Sequence, residues 1–252
     1  MPCPRWSGDV SLPQLIGVMA VVGLAALVQK ISGFGFGLIV VPLLSLFLAP
    51  QEGVVIATLL ATYTTATQAW TERQNCDVPV ANRVFVAACA GMPVGLAVFV
   101  LGTASQLRLV LGVVVVFAAV LLARGFTLGH ASRRDEFVLG AVSGVLNTSI
   151  STNGPPLVFL LQARGYEPPA FRGTISRVFI YSNVVSLALF VAAGKVRHDA
   201  AVAAAVSVPA VLVMQWAGSR VARHFHGDRF RRLVLVLMFA SGASAIIAAA
   251  TH

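Results

Sequence analysis

Ten apolar stretches dominate this chain of 252 residues, at positions 12–28, 38–49, 53–70, 84–101, 109–126, 137–150, 157–161, 175–193, 200–216 and 233–250. As helices rising 1.5 Å per residue, most of them reach across the roughly 30 Å of a bilayer's hydrocarbon core. Charged residues make up only 11% of the chain and hydrophobic ones 58%, against about 25% charged in ordinary soluble domains. All nine carboxylates (Asp9, Glu52, Glu72, Asp77, Asp135, Glu136, Glu167, Asp199 and Asp228) lie between apolar stretches or at their edges, where the cost of charge in hydrocarbon puts them. The chain reads as an all-α polytopic membrane protein with the lipid bilayer as its partner.

Two stretches are too short to span, and each follows a break: GFGFG at Gly33 to Gly37 and STNGPP at Ser151 to Pro156. A shift of 154 − 35 = 119 residues lays Gly154 on Gly35, Pro169 on Pro50 and Leu157 on Leu38. After a small gap, Val208-Pro209 matches Met92-Pro93, and Gly218 matches Gly102. Each half therefore reads as the same series: a kinked or re-entrant helix pair followed by three transmembrane helices. The first repeat takes residues 1–126 and the second 127–252.

Arginine placement bears on orientation. If each kinked pair crosses an even number of times, the second half is inverted. The loops carrying Arg73 and Arg83, Arg133 and Arg134, Arg164 and Arg172, and Arg220 to Arg232 then share one side, which the positive-inside rule makes cytoplasmic. The other side keeps Arg5, Glu52, Arg108, Lys195 and Arg197, and both termini are expected outside. The N-terminus lacks the basic flank and short apolar core of a cleaved signal peptide. A net charge of +9 does not argue for nucleic acid, because no basic run is interleaved with aromatics. Cys3, Cys76 and Cys89 form neither a CxxC pair nor an even framework.

A helix that stops within the membrane exposes backbone groups, which hydrocarbon tolerates only beside protein or a watery cavity. Paired interruptions at corresponding positions in two halves are the sequence mark of a transporter's substrate site. The first break offers Gln29, Lys30, Ser32, Gly33, Gly35 and Gly37, and the second Asn147, Thr148, Ser149, Ser151, Thr152, Asn153 and Gly154. These are donors and bare backbone, suited to an anion at helix N-termini aimed from short helices starting near Leu38 and Leu157. The glycines of the first break also suit close helix packing. The second break, with Pro155 and Pro156 each lacking an N–H, is expected to be unwound.

The next helix of each half adds a polar stripe: Thr58, Thr62, Thr65 and Gln68, then Arg177 and Tyr181 with Asn183 nearby. Arg177 stands two residues into its apolar stretch. It either snorkels to the interface or faces the cavity to hold an oxyanion, and Lys30 carries the same two readings.

The run GFGFGLIVVPLL before Pro50 and the later GAVSGVLNTSISTNGPPLVFLLQARGYEPPAFRGTISRVF resemble the paired motifs of the TauE/SafE sulfite exporter family, the toluene-sulfonate uptake permease group. Gly33, Gly35, Gly37 and Pro42 match the first signature; Gly144, Gly154, Pro155, Pro156, Phe171 and Arg172 match the second. Phe34, Phe36 and Thr152-Asn153 depart from the small residues frequent there. The resemblance covers nearly the whole chain and implies a secondary transporter, an exporter in the cell inner membrane. Its implied substrates are small sulfur oxyanions such as sulfite, thiosulfate, sulfoacetate or another sulfonate.

An anion channel or a non-transporting sensor of the same fold is the alternative, and a homodimer is among the assemblies open to it. An intramembrane enzyme would need a nucleophile with its base, a carboxylate pair or a metal set. None is visible, since His130, His198, His224, His226 and His252 fall outside the clearest spans. No catalytic residue, metal or cofactor is expected. Without a titratable group in the membrane core, the anion's gradient plus the membrane potential is the expected drive, the latter at about 2.3 kcal/mol per charge per 100 mV.

Overall fold

The computed structural model describes residues 12–125, 129, 131–221 and 228–250. The termini and part of the arginine-rich stretch before the last helix therefore lie outside the described residues. Among the described residues ten α-helices follow one another: α1 (Leu12–Ser32), α2 (Phe36–Leu44), α3 (Pro50–Thr71), α4 (Val78–Leu101), α5 (Ala104–Ala123), α6 (Arg133–Ile150), α7 (Gly154–Ala163), α8 (Pro168–Ala192), α9 (His198–Val221) and α10 (Asp228–Ala250). Five of the described helices are long and apolar enough to cross a membrane, within α1, α4, α5, α8 and α9. The protein is a helical membrane protein.

Its packing is inverted relative to a soluble domain. Val86, Val94, Val113, Phe117, Val213 and Ile247 face outward, each more than half exposed, as a lipid-facing surface requires. The polar residues Thr58, Thr64, Thr65, Gln68, Asn147, Ser176, Ser182, Asn183 and Ser186 are buried. Many of the hydroxyls return to their own helix, as Thr65 Oγ1 does to the Ala61 carbonyl at 2.6 Å and Ser207 Oγ to the Ala203 carbonyl at 2.7 Å, so burial leaves them satisfied.

Small residues set the helix spacing. A Cβ on Gly144 of α6 would lie 1.9 Å from the Ala88 carbonyl of α4, and one on Gly91 of α4 2.0 Å from the Ala141 carbonyl of α6. Gly95 likewise meets the Val145 carbonyl at 2.2 Å. Two glycine pairs at four-residue spacing, Gly91/Gly95 and Gly140/Gly144, thus press α4 and α6 backbone to backbone, and dispersion at that range holds helices together where lipid removes the hydrophobic drive. Thr148 Oγ1 spans the seam to the Met92 carbonyl at 2.8 Å.

Contacts also fix helix direction. Glu72 pairs with Arg172 at 3.0 Å and Glu52 approaches Arg197 at 4.0 Å, so α3 and α8 run antiparallel. Ser105 of α5 bonds the Ala249 carbonyl of α10 at 3.0 Å while Gly112 faces Ile246 and Gly242, which makes α5 and α10 antiparallel too. By contrast α1 runs alongside α9, with Gly23 facing Met214 and Gly218 facing Leu27 and Lys30. The α4 and α6 contacts are parallel in the same way.

One end of the bundle is held by charge. Glu136, buried in the first turn of α6, accepts from Arg83 Nε at 2.7 Å and Nη2 at 3.1 Å and pairs with Arg164. Beside it Tyr166 donates to Asp77 Oδ2 at 2.5 Å. Burial and the Asp77 hydrogen bond together push the Tyr166 hydroxyl up to about 12. Burial works to raise the Asp77 carboxyl, but the Tyr166 hydroxyl, the Val80 N–H and the Arg164 and Arg83 charges outweigh it, so it lies below the usual aspartate value. Asp77's contribution to stability is therefore present above the ordinary carboxylate range and fades as pH falls through its lowered value. Tyr166's is intact below about pH 10 and fades as pH rises toward 12.

Two outcomes are expected. Gly144→Ala should cost about 1–3 kcal/mol through the forced separation of α4 and α6, read as a lowered thermal midpoint in detergent. Spectrophotometric titration should show a tyrosine step near pH 12 that Tyr166→Phe removes.

Candidate functional site

The two breaks meet inside the bundle. In the first, the α1 backbone closes with the Gly33 N–H on the Gln29 carbonyl at 2.8 Å, and the Ser32 hydroxyl lies within donating distance of both the Val28 and Phe34 carbonyls, at 2.8 and 2.7 Å. Gly33 (φ 89) and Gly35 (φ 100) then turn the chain through left-handed conformations that only glycine adopts without strain. In the second, α6 ends at Ser151, which takes the same region (φ 51) despite its Cβ. Its Oγ lies 3.0 Å from Thr58 Oγ1 in a hydrogen bond across to α3.

The unwound part of the second break is shorter than the sequence suggests. Helix α7 resumes at Gly154 and carries Pro155 and Pro156 within its first turn, where a missing N–H costs nothing because no intrahelical partner exists there. Both short helices start earlier than expected, α2 at Phe36 and α7 at Gly154 rather than near Leu38 and Leu157. Likewise α8 begins at Pro168, so Arg177 sits in its third turn and not at its start.

Gly37 is where the breaks touch. A Cβ there would lie 1.8 Å from the Ser151 carbonyl oxygen, so the second tip rests directly on the first turn of α2. Around this contact is a cavity of ≈ 20 Å³ lined by Gln29, Gly35, Phe36, Gly37, Leu38, Ala61, Thr65, Ser151, Thr152, Asn153, Gly154, Phe179 and Asn183. That volume accepts about one water.

The electrostatics of this cavity favour an anion. Both short helices point their N-termini at it, and neither start is capped by a side chain. From N-cap to third residue, α2 presents the amides of Gly35, Phe36, Gly37 and Leu38, whereas the prolines leave α7 only those of Asn153 and Gly154. Asn153 is 8% exposed and its Nδ2 has no partner, while Asn183 Nδ2 reaches Thr65 Oγ1 at only 3.4 Å. No Asp, Glu or His is among the lining residues.

Of the residues singled out from sequence, Gln29, Gly35, Gly37, Thr65, Ser151, Thr152, Asn153, Gly154 and Asn183 line the cavity. Asn147 lies one turn behind Ser151 and donates to Ser186 Oγ at 2.8 Å. Thr62 bonds the Thr58 carbonyl of its own helix at 2.7 Å. Arg177 and Tyr181 occupy another face of α8, the guanidinium 5.2 Å from the Tyr181 ring and that ring 5.3 Å from Phe85 of α4. Lys30, Ser32 and Gly33 sit at the first tip but do not line the cavity. Ala61 and Phe179 enter it unannounced by the stripe of hydroxyls; their signal is the four-residue spacing that puts Ala61 with Thr65 and Phe179 with Asn183 on one helix face each.

Comparison with known proteins decides the family. The sulfite exporter TauE/SafE model matches residues 18–245. The chain belongs to the TauE/SafE family. It is 28% identical over 256 residues to the probable sulfite/organosulfonate exporter TauE of Cupriavidus necator, covering 96% of each chain. It is 32% identical over 102 residues to the probable inner membrane transporter protein TsaS of Comamonas testosteroni, covering 40% of this chain and 43% of that one. No solved structure matches it. These relatives are named as an exporter and a transporter, so this TauE/SafE protein falls among transporters and not enzymes.

If Gly37 sets the meeting of the two tips, Gly37→Ala should separate them, with ligand-induced thermal stabilisation lost while the protein still inserts and purifies as a monodisperse species. Retained ligand-induced stabilisation would show that the tips need not touch.

Proposed function

We propose that this TauE/SafE protein is a secondary transporter that moves small sulfur oxyanions, sulfite or organosulfonates, out of the cell across the inner membrane. The observation that carries the reading is the meeting of two uncapped helix N-termini around one cavity, with the unpartnered Asn153 amide among its walls. Partial positive charge and inward-facing donors are what an oxyanion needs once its water is stripped. The relatives' names, a sulfite/organosulfonate exporter and an inner membrane transporter, supply the chemical class and the compartment.

Alternating access is the mechanism this geometry favours over a channel. The second tip rests on Gly37 of the first, a contact between the two breaks that would part and re-form as an anion passes, and a permanently open pore would have no such contact. The antiparallel course of α3 against α8 and of α5 against α10 supports two inverted halves, whose rocking opens first one face and then the other. On this reading Arg83, Arg133, Arg134, Arg164 and Arg172 lie on the cytoplasmic side, and both termini outside. With no titratable side chain lining the cavity, the anion's own gradient and the membrane potential drive export, the interior-negative potential contributing about 2.3 kcal/mol per charge per 100 mV.

Proteoliposomes loaded with sulfite test this. Saturable efflux, accelerated by an interior-negative potential, is expected; ohmic current would indicate a channel instead. Uptake driven by a pH gradient and indifferent to a clamped potential would sink the proposed energetics. Asn153→Ala should weaken sulfite binding about tenfold, the usual worth of a hydrogen bond to a charged group.

A further inference from the structure

Above the cavity, toward the Glu72 end, the seam between α3 and α8 holds two buried polar groups without partners. Gln68 is 2% exposed and its Nε2 has no hydrogen-bond partner; Ser176 is fully buried and its Oγ has none either. Leaving two such groups unpaired in a membrane interior is costly unless something polar visits them. They lie at the same level. Helices α3 and α8 run antiparallel through the Thr65–Asn183 and Glu72–Arg172 contacts, and Gln68 lies between Thr65 and Glu72 as Ser176 lies between Asn183 and Arg172.

The first break opens onto the same spot. A Cβ on Gly33 would lie 3.0 Å from Arg172 Cγ and 3.5 Å from Gln68 Nε2, so both side chains flank the space that the missing side chain leaves. Ser176 follows Arg172 by four residues and shares its helix face. The Lys30 ammonium lies in the field of both Glu72 and Arg172, and its stem packs on Gly218 of α9. Two cations against one carboxylate leave this pocket of polar groups one positive charge in excess. Gln68 and Thr65, and Ser176 and Phe179, are each one turn apart, so the cavity begins about 5 Å away.

We propose that Gln68 and Ser176, backed by Lys30 and Arg172, form a second anion station one helical turn from the cavity, through which the transported oxyanion passes between α3 and α8. The Glu72–Arg172 pair is then the outer contact that parts when the anion enters or leaves at that end. This rests on the transporter reading above and adds to it a route and a relay site.

The test uses the full chain in proteoliposomes with sulfite as probe, comparing wild type with Gln68→Glu and Ser176→Ala. Gln68→Glu keeps the side chain's size and turns a donor into a repelling carboxylate. Ser176→Ala removes a hydroxyl that has no bond to lose, so it leaves the fold intact even if the first variant does not assemble. Maximal sulfite efflux is expected to fall about tenfold in either variant, while the equilibrium Kd for sulfite at the cavity stays within about twofold of wild type. Wild-type efflux in Ser176→Ala and any folded Gln68→Glu overturns the relay, as does a parallel loss of affinity and rate, which would merge these residues with the cavity. Absence of sulfite and sulfonate efflux from the wild type would instead overturn the transporter reading itself.

Discussion

The Ser151 carbonyl oxygen lying against the bare Cα of Gly37 is the contact on which the centre of this protein depends. Two helices stop inside the bundle, and a helix end in an apolar interior is tolerable only if protein surrounds its free amides and carbonyls. Here each break shields the other. The second tip sits on the first turn of α2, Thr58 reaches across to Ser151, and the polar faces of α3 and α8 close over both.

That arrangement needs a rigid frame, and the frame is made by glycine. Helices α4 and α6 approach until carbonyls of one touch the Cα atoms of the other, with α1 against α9 as the corresponding pair elsewhere in the bundle. Close backbone contact takes the place of the hydrophobic force that lipid removes. The charged network at the Glu136 end, joining α4, α6 and the loop after α7, adds a clamp outside the apolar zone, where ion pairs are less costly to form. In the proposed alternating-access cycle, motion would take place between such well-packed units.

Sequence reasoning and structure part company over side-chain direction. The breaks, their register and their donor-rich composition were legible, because Gly, Pro and polar residues in an otherwise apolar span have few explanations. Arg177 drew attention as a cation in an apolar segment, yet it lies over Tyr181 on a face of α8 away from the cavity, while Asn183, six residues on, looks into it. A difference of 100° per residue decides this, and hydropathy does not encode it. The homodimer open at sequence level gains no support from the fold or from the relatives. Gln68 belonged to a visible stripe, but nothing in its spacing said that its amide would be left without a partner.

The sequence alone determined that this chain lives in lipid, that its helices break at two positions 119 residues apart, and that the breaks carry donors without carboxylates. Those properties follow from composition and local backbone preference, which each segment holds by itself. Only the tertiary structure decided that the two tips touch at Gly37, that prolines 155 and 156 begin a helix and do not prolong a gap, and which face of α3 and α8 meets the cavity. Such facts depend on how closely two backbones can approach, and that distance is set by residues far apart in the chain.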